Sequence, residues 1–588
     1  MRRSVLRLYA PFLAVLVGQA AFVIIAPSRG EAPTNQFNVA TDGFAAPGTV
    51  SGDAGAGGDA IVPTDGGAVD TSGGTVSGGG ATTGGTGGTG ATATGGATGT
   101  SRTGGSTSPS GGQTTTAGGD RSHCKGDRQH DIIYNAPPCV PKWPAGADNG
   151  GATYPGVTKD SISFVMFQCQ SNEQVDAILA SQGLAASDAE TDAMLDAWAK
   201  VINKHYETYG RTFKWERIRG DCPTSPPDPA KARQAAAEVA KKKPMFVHVA
   251  GGGSAAADVF AQNGILSVGV QWNIQQFYAG RRPFRWDIFP SANETADWMA
   301  EYYCKKMAKK PASNAGQVIH PTIGGRSTIR KLAIVVPDDG TGTIVPAAQQ
   351  VSKLVTECSG VETPIFTYQS DINRATEQTR ATVAGLIEKK ITTVTCMCDP
   401  IAPVFLTQGM TQNNYYPEHM LAGMGLLDYD VLGRLYDPAQ WAHAFGPSQL
   451  AEPVPFDQSD ATRIWRAAGN SGQPCAACNL LSGYMSLVAS MINVAGPNLN
   501  PGTIEAALVG RNYKRGGWGE TGGKADVYLI KFGQGDYNAI SDFREAYWDA
   551  AATSTIDGRA GAYVSLNKGR RYAGGELDGS FTVAPKPQ

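Results

Sequence analysis

Four cysteines in two short motifs carry the most versatile chemistry in this chain. Cys396 and Cys398 form a Cys-x-Cys motif, and Cys475 and Cys478 form a Cys-x-x-Cys motif ahead of an apolar run. Four thiolates can bind zinc, and Cys-x-x-Cys before a helix is also a redox arrangement. No thioredoxin-like pattern surrounds Cys475, and an oxidising compartment favours disulfides. We expect structural disulfides in this set, with zinc and redox catalysis as alternatives and with the pairing left open.

The other six cysteines are interpreted as three disulfides. Cys124 and Cys139 bracket a loop-rich segment, whereas Cys169 and Cys222 follow the first two predicted strands. Neighbouring parallel strands bring such ends within bridging distance. The third pair lies near the ends of successive predicted helices. The predicted pairs are Cys124–Cys139, Cys169–Cys222 and Cys304–Cys358.

A glycine-rich turn, Gly251-Gly252-Gly253-Ser254, is the second group with potential chemistry. It lacks the lysine of a P-loop and the full spacing of a dinucleotide fingerprint. Free backbone N–H groups at a helix start still attract an anion or a carbonyl oxygen. The turn is therefore either a ligand contact or a tight strand-to-helix connection.

Catalytic motifs are absent from the sequence. It contains no Gly-x-Ser-x-Gly elbow, no His-Glu-x-x-His and no Walker loop. The seven histidines are dispersed, and His248 lies inside a predicted strand, where a core role is expected. We predict neither an enzyme nor a cofactor or metal site; an enzyme acting through Cys475 and Cys478 is the remaining alternative.

Strands and helices alternate twice along the chain, which positions these residues. The first unit has strands at 162–167, 213–218 and 245–250, the second of which alternates apolar and polar residues, and helices separate them. The second unit repeats the order after residue 290, with strands at 331–336, 363–368 and 392–398. Such alternation predicts parallel sheets covered on both faces, with ligands at the carboxyl ends of the strands. The fold class is α/β, with two Rossmann-like lobes and a cleft between them.

The N-terminal third differs from the rest. Arg2, Arg3 and Arg7 precede an apolar run to Pro27, so residues 1–30 are predicted to be a signal peptide or membrane anchor. Residues 31–120 are a Gly/Thr-rich tract, predicted to be a disordered linker. Together these features predict an extracytoplasmic protein, secreted or attached to the outer face of the membrane. A net charge of −2 gives no general attraction to nucleic acid, so no nucleic-acid partner is predicted.

The order of several motifs resembles a known family. Tyr154-Pro155-Gly156-Val157-Thr158, the segment from Tyr209-Gly210-Arg211 to Phe213, and Asp228-Pro229-Ala230 look like type 1 periplasmic solute-binding proteins of the leucine/isoleucine/valine class. Arg570-Arg571-Tyr572 is similar to their extracytoplasmic actinobacterial-type members. The resemblance spans roughly residues 154 to 572.

The resemblance implies two lobes joined by three crossovers that close on a small solute and deliver it to an ABC permease in the membrane. The implied parts are a disulfide-stapled segment 121–153, lobe 1 at 154–290 and 429–497, lobe 2 at 291–428 and 498–575, and a tail at 576–588. By position, the implied ligand-binding residues are Gln168, Gln170, Gly253, Ser254, Gln271, Trp272, Asn273, Asp339, Thr341, Asp399, Leu426 and Asp428.

The departures from the family pattern concern the ligand. Gln168-Cys169-Gln170 stands where the family has a Pro-Leu-Thr-Gly type turn, and no aromatic follows Asp339. These departures argue against an amino acid bound as in the family, and Trp272 is available to stack on an apolar or ring-shaped ligand. The predicted solute is small and polar or amino-acid-like. A ligand-binding extracytoplasmic sensor with the same fold is the alternative.

Overall fold

The computed structural model describes residues 119–269, 272–338, 344–510 and 530–579. The predicted signal segment and almost all of the predicted linker lie outside the described residues, as does most of the predicted tail. The described strands are β1 Ser161–Gln170, β2 Thr212–Pro223, β3 Phe246–Ala250, β4 Leu266–Val268, β5 Val318–His320, β6 Gly324–Gly325, β7 Leu332–Pro337, β8 Ile365–Tyr368, β9 Thr393–Cys396, β10 Glu418–Met420, β11 Ala444–Ser448, β12 Phe543–Thr553, β13 Ala560–Ser565 and β14 Arg571–Tyr572.

The helices follow the strands in the predicted alternation. They are α1 Glu173–Ala180, α2 Asp188–His205, α3 Pro229–Ala240, α4 Gly253–Gln262, α5 Gln275–Ala279, α6 Ala292–Tyr302, α7 Val345–Ser359, α8 Ala375–Glu388, α9 Ala402–Gln412, α10 Asp430–Gly433, α11 Pro438–Trp441, α12 Asp460–Ala467, α13 Cys478–Ala495 and α14 Pro501–Leu508.

Lobe 1 is built on a four-stranded parallel sheet in the order β2-β1-β3-β4. The middle strands are buried: Phe164, Val165 and Phe167 of β1 are at most 1 % exposed. Helices α3 and α4 pack on each other, and α2, α12 and α13 form a second group. Burial on both faces explains why β1 and β3 are continuous apolar runs.

Lobe 2 contains an eight-stranded sheet in the order β13-β12-β11-β10-β9-β7-β8, with β14 paired to β12. Strands β8, β7, β9, β10 and β11 are parallel, whereas β12 joins β11 antiparallel and β13 continues the antiparallel edge. The prediction of an α/β fold with two parallel-stranded lobes is confirmed.

The chain crosses between the lobes three times in the described region, near residues 290, 450 and 541. The later two crossings differ from the predicted boundaries. Strand β11 lies in the sheet of lobe 2, whereas α14 and the segment around Phe532 belong to the core of lobe 1. The alternation of elements does not reveal which sheet a strand joins, because that depends on long-range pairing.

The segment before β1 packs on lobe 1. Ile133 and Ala136 are part of its hydrophobic core. The N–H of Tyr134 donates to Asp460 Oδ1 at 3.0 Å, and Asn493 Nδ2 donates to the carbonyl of Pro138 at 3.2 Å. The segment is therefore a structural extension of lobe 1.

All ten cysteines form disulfides. The three predicted pairs, Cys124–Cys139, Cys169–Cys222 and Cys304–Cys358, are present. The four cysteines whose pairing was left open form two disulfides within their own motifs, Cys396–Cys398 and Cys475–Cys478. None of these thiols is free to hold zinc or to start thiol chemistry.

Helix α13 is the one described helix that is long and apolar enough to cross a membrane. It is mostly buried and contributes Tyr484, Met485 and Val488 to the core of lobe 1. Its apolar character is explained by that burial.

Candidate functional site

A cleft of about 550 Å³ lies between the two lobes. In lobe 1 it is bordered by the segments that follow β2 and β3, from Pro223 and from Gly251. In lobe 2 it is bordered by Pro337 at the end of β7 and by the segments after β8 and β9. The carboxyl ends of parallel strands from both sheets thus face one space, where open α/β sheets bind ligands.

The glycine turn after β3 forms one wall of the cleft. Gly251, Gly252 and Gly253 have φ values of 84°, 72° and 52°. A Cβ on Gly251 would lie 2.9 Å from both Cys169 Cβ and Thr224 Cγ2, so a side chain there requires its neighbours to shift. Gly252 is the N-cap of α4 and provides no side-chain cap. The first N–H groups of α4 can therefore donate to a ligand oxygen.

Ser254 and Trp272 lie beside this turn. Ser254 Oγ donates to Asn273 Oδ1 at 2.8 Å, which orients the serine and keeps its lone pairs available. The Trp272 ring packs 5.0 Å from the Phe289 ring, and its Nε1 donates weakly to Gln449 Oε1 at 3.5 Å. Trp272 also contacts the hydrophobic cores of both lobes. It therefore forms the floor of the cleft at the junction of the lobes.

Three aspartates line the cleft, and each one caps a turn or helix of the protein. Asp228 accepts from two N–H groups at the start of α3, both at 3.0 Å. Asp371 accepts from the N–H of Asn373 at 3.0 Å. Asp399 accepts from the N–H groups of residues 401 and 402 at 2.9 and 3.0 Å, and from the Tyr368 hydroxyl at 2.5 Å. Each of these carboxylates therefore has a capping role in the fold.

Most of the remaining lining is apolar. The side chains come from α1, the junction of the lobes, the start of α7, α9 and the loop after β10: Val175, Leu179, Trp272, Ile344, Phe405, Leu406 and Met424. No lysine, arginine or histidine is among the described lining residues. The cleft therefore offers an apolar surface with backbone donors at one end.

The lobes touch at one edge of the cleft. Ser225 Oγ, after β2, donates to the carbonyl of Ser370 at 3.4 Å and accepts from the N–H of Ile372 at 3.3 Å. Leu179 of α1 packs against the core of lobe 2. Contacts between the lobes therefore border the cleft at this edge.

The cleft contains four of the predicted ligand residues. Gly253, Ser254, Trp272 and Asp399 line it together. Gln271, Asp339 and Thr341 lie outside the described residues.

Five other predicted residues do not line the cleft. Gln168 accepts a hydrogen bond from Arg217 of β2, and Gln170 is exposed beyond an irregularity in the pairing of β1 with β2. Asn273 is buried behind Ser254, and Leu426 packs on the cores of the lobes. Asp428 is buried and accepts from Ser448 Oγ at 2.6 Å. A ligand role for these five has no geometric support in this cleft.

Sequence reasoning missed Ser225, Tyr368 and Phe405. Tyr368 ends a predicted strand, so the rule on strand ends could have identified it. Ser225 and Phe405 carry no such signal, because their approach to the cleft depends on how the lobes meet.

Two lobes with parallel-stranded sheets, joined by three crossings, border one cleft. No family model and no curated protein matches the sequence. Among solved structures, a solute-binding protein of an ABC transporter from R. palustris in complex with 4-hydroxybenzoate is 13% identical, with a TM-score of 0.49, and the match covers 71% of this chain and 98% of that one.

Two further structures show the range of the matches. A fatty acid ABC transporter substrate-binding protein from Thermomonospora curvata is 16% identical, with a TM-score of 0.48 and coverage of 75% and 100%. A branched-chain amino acid transporter substrate binding protein, LivJ from Streptococcus pneumoniae in complex with isoleucine, is 12% identical, with a TM-score of 0.44 and coverage of 69% and 100%. At these sequence identities and TM-scores, no ligand is inferred from the similarity.

Proposed function

We propose that this protein is an extracytoplasmic solute-binding protein that captures a small, mainly apolar solute bearing an oxygen acceptor at one end. The observation that carries this proposal is the cleft of about 550 Å³ at the carboxyl ends of both sheets. Its volume lies within the range of roughly 300–1,000 Å³ found for sites of small molecules. An ABC permease in the membrane is the proposed recipient of the solute.

The balance of forces favours an apolar ligand. Burying about 200 Å² of apolar ligand surface contributes roughly 5 kcal/mol, whereas one hydrogen bond contributes about 1 kcal/mol. The side chains of Trp272, Phe405 and Met424 supply the apolar contact, and the N–H groups at the start of α4 supply the donors. Apolar contact would set the affinity, and the donors would set the orientation.

This proposal replaces the expected polar or amino-acid-like solute with a mainly apolar one. The ammonium group of an amino acid requires an acceptor, and the described aspartates of the cleft already accept from backbone N–H groups. Solutes with an apolar body and an oxygen acceptor, such as aromatic or aliphatic carboxylic acids and amides, use the apolar lining and the backbone donors of α4 and need no acceptor from the protein. An amino acid is kept as a competing outcome.

Two independent features support an extracytoplasmic location. Basic residues precede an apolar run at the N-terminus, as in export signals and membrane anchors. Five disulfides are typical of proteins from oxidising compartments. Attachment to the membrane through residues 1–30, with residues 31–120 as a tether, is part of the proposal.

Binding without turnover is the proposed activity. Cys475 and Cys478, the pair considered for redox catalysis, lie at and just before the start of α13 and do not line the cleft. The buried His248 contacts Met166 Sδ and Tyr484 within lobe 1 and does not line the cleft. Neither group supports catalysis in the cleft.

A ligand screen tests the proposal on the purified exported chain. Benzoate, 4-hydroxybenzoate, octanoate, benzamide and isoleucine are each added in a thermal-shift assay, followed by isothermal titration calorimetry of every compound that raises the unfolding midpoint. We expect at least one acid or amide to bind, and isoleucine to bind more weakly. Binding of isoleucine alone would refute the proposed solute class.

The variant Phe405→Ala provides the site-specific test. Removing this ring from the cleft is expected to weaken the apolar ligand roughly tenfold. Phe366→Ala is the matched control, because Phe366 is also a partly buried phenylalanine of lobe 2 but packs on Gly385 outside the cleft. Equal affinities of the two variants would place the binding site elsewhere.

A further inference from the structure

Lys306 is a fully buried lysine in lobe 2. Its side chain is 0 % exposed, although lysine is almost never buried without a partner, because an isolated charge is costly to take out of water. The residue lies in a π-helical turn, Tyr303–Met307, that continues α6. Such turns are rare and frequently occur at functional sites. A buried amine in this kind of turn is a candidate for chemistry of its own.

One carboxylate contacts this amine and also an asparagine amide. Lys306 Nζ donates to Glu545 Oε1 at 2.6 Å, and Asn567 Nδ2 donates to Glu545 Oε2 at 2.7 Å. Glu545 belongs to β12 and is likewise 0 % exposed, whereas Asn567 lies between β13 and β14 and is half-buried. An amine and a carboxamide are thus held on the two oxygens of a single carboxyl group.

The backbone holds Asn567 next to β12. The N–H of Leu566 donates to the carbonyl of Glu545 at 2.9 Å, which continues the pairing of β12 with β13. Asn567 has a φ of 49°, in the left-handed region that asparagine enters more readily than most residues. Its Nδ2 also donates to the Tyr572 hydroxyl at 3.1 Å. The position and the orientation of the amide are therefore set by the fold.

The surroundings of the carboxylate are aromatic and dry. Lys306 Nζ lies 5.9 Å from the centroid of the Tyr302 ring, and both Tyr302 and Tyr572 are 1 % exposed members of the core of lobe 2. Burial penalises the charged forms of Lys306 and Glu545, so the ion pair loses much of its advantage over a neutral amine and a carboxylic acid. A neutral amine is a nucleophile, whereas an ammonium group is not.

We propose that Lys306 and Asn567 form an isopeptide bond, a covalent cross-link within lobe 2. Lys306 Nζ gives one proton to Glu545 Oε1 and, as a neutral amine, attacks Asn567 Cγ. The Nζ–Cγ bond forms and the Cγ–Nδ2 bond breaks, while Glu545 passes the two protons lost by Nζ to Nδ2, which leaves as ammonium. The carboxylate of Glu545 is restored, and the reaction balances without an oxidant. This inference is independent of the solute proposed for the cleft.

Mass spectrometry of the purified exported chain, digested with trypsin after reduction of its disulfides, tests the proposal. We expect a branched peptide that joins the segments around Lys306 and Asn567 and is lighter than the two linear peptides together by one ammonia. Fragment ions locate the bond between the two side chains. Recovery of both segments only as linear peptides of full mass would overturn the proposal, and so would loss of ammonia within a single linear peptide, as in cyclisation of an asparagine.

Variants of the three side chains identify their roles. Asn567→Gly, which suits the left-handed backbone, is expected to abolish the branched peptide. Asn567→Asp is expected to form the same bond with loss of one water, so its branched peptide has the mass of the wild-type one. Glu545→Gln is expected to reduce the yield at least tenfold, because the proton carrier is lost. Lys305→Arg is the matched control, since Lys305 is an exposed neighbour paired with Glu301, and should keep the bond.

The two changes at Asn567 decide the question should Glu545→Gln not fold. A branched peptide that persists in Asn567→Gly would place the cross-link elsewhere and overturn the proposal. A full yield in folded Glu545→Gln would overturn the role of Glu545 as the proton carrier.

Discussion

Four histidines are buried in this protein, and their chemistry depends on that burial. His130, His248, His419 and His443 are each at most 8 % exposed. Loss of solvation is the main cause that lowers the pKa of each one. The pKa falls to about 4 for His130, about 3 for His248 and about 4 for His419, and it is also lowered for His443. The position of His248 inside an apolar strand predicted such a core histidine from the sequence. These side chains are neutral parts of the core at neutral pH.

The residue-scale prediction concerns acid stability. In the unfolded chain His130, His248 and His419 take up protons near pH 6.5, whereas in the folded protein they do so only near pH 3–4. Because the unfolded state binds more protons, the stabilisation is complete above about pH 6.5 and is lost as the pH falls towards 4. Each histidine contributes a slope of up to about 1.4 kcal/mol per pH unit.

The variant His248→Gln removes one of these titrations. Its free energy of unfolding in urea, measured at pH 7, 6 and 5, is expected to fall less steeply with acid than that of the wild type. His320→Gln, at a partly exposed histidine of β5, is the control and should keep nearly the full slope. Identical slopes for His248→Gln and wild type would show that His248 does not contribute to the loss of stability in acid.

At the scale of elements, disulfides hold the strand ends that border the cleft. Cys169–Cys222 joins the ends of β1 and β2 directly beneath the glycine turn. Cys396–Cys398 closes a turn at the end of β9, and a Cβ on Gly425 would lie 2.1 Å from the carbonyl of Cys398. Both disulfides therefore stiffen the walls of the cleft, but they constrain very different lengths of chain.

The two disulfides are expected to differ in their contribution to stability. Cys169 and Cys222 are 53 residues apart, so their cross-link removes chain entropy worth about 4 kcal/mol in the unfolded state. Cys396 and Cys398 are 2 residues apart, for which the same relation gives about 1 kcal/mol. Unfolding in urea of the double variants Cys169→Ala/Cys222→Ala and Cys396→Ala/Cys398→Ala compares them. Equal losses would contradict the chain-entropy explanation.

At the scale of the whole molecule, the described lobes meet across the cleft through few direct hydrogen bonds. Ser225 supplies two of them, to Ser370 and to Ile372. In binding proteins of two lobes, closure around a ligand is a hinge motion, and contacts between the lobes stabilise the closed state. Those contacts are absent when the lobes separate, so they add to ligand affinity without adding to the stability of either lobe.

The variant Ser225→Ala tests this contribution. Loss of two neutral hydrogen bonds is expected to weaken ligand binding by about 3- to 30-fold, with little change in the urea midpoint of the free protein. Affinity is measured by calorimetry, and closure by the ligand-dependent change in small-angle X-ray scattering. Ser181→Ala, which loses a hydrogen bond to Ile178 within lobe 1, is the control for affinity. A similar loss of affinity in both variants would rule out a specific role for the interlobe contact.

The positions of the helices and strands, and several residues that border the cleft, could be predicted from the sequence alone. Apolar runs, capping residues such as Asp228 and the spacing of helices located the elements, because burial and capping leave a periodic local signal. The resemblance to type 1 periplasmic solute-binding proteins then implied Gly253, Ser254 and Asp399 as ligand residues at a cleft. The rule on strand ends led to the pairing of Cys169 with Cys222, since neighbouring strands end side by side.

The assignment of elements to lobes and the directions of the side chains depend on the tertiary structure. It assigned β11 to lobe 2 and α14 to lobe 1, and it directed Gln168 towards Arg217 and Asp428 towards Ser448. It also showed that Asp399 is occupied by N–H groups and a tyrosine hydroxyl. Strand pairing, side-chain direction and the hydrogen-bond partners of a carboxylate depend on residues far apart in the chain. The local pattern of apolar and polar side chains therefore does not predict them.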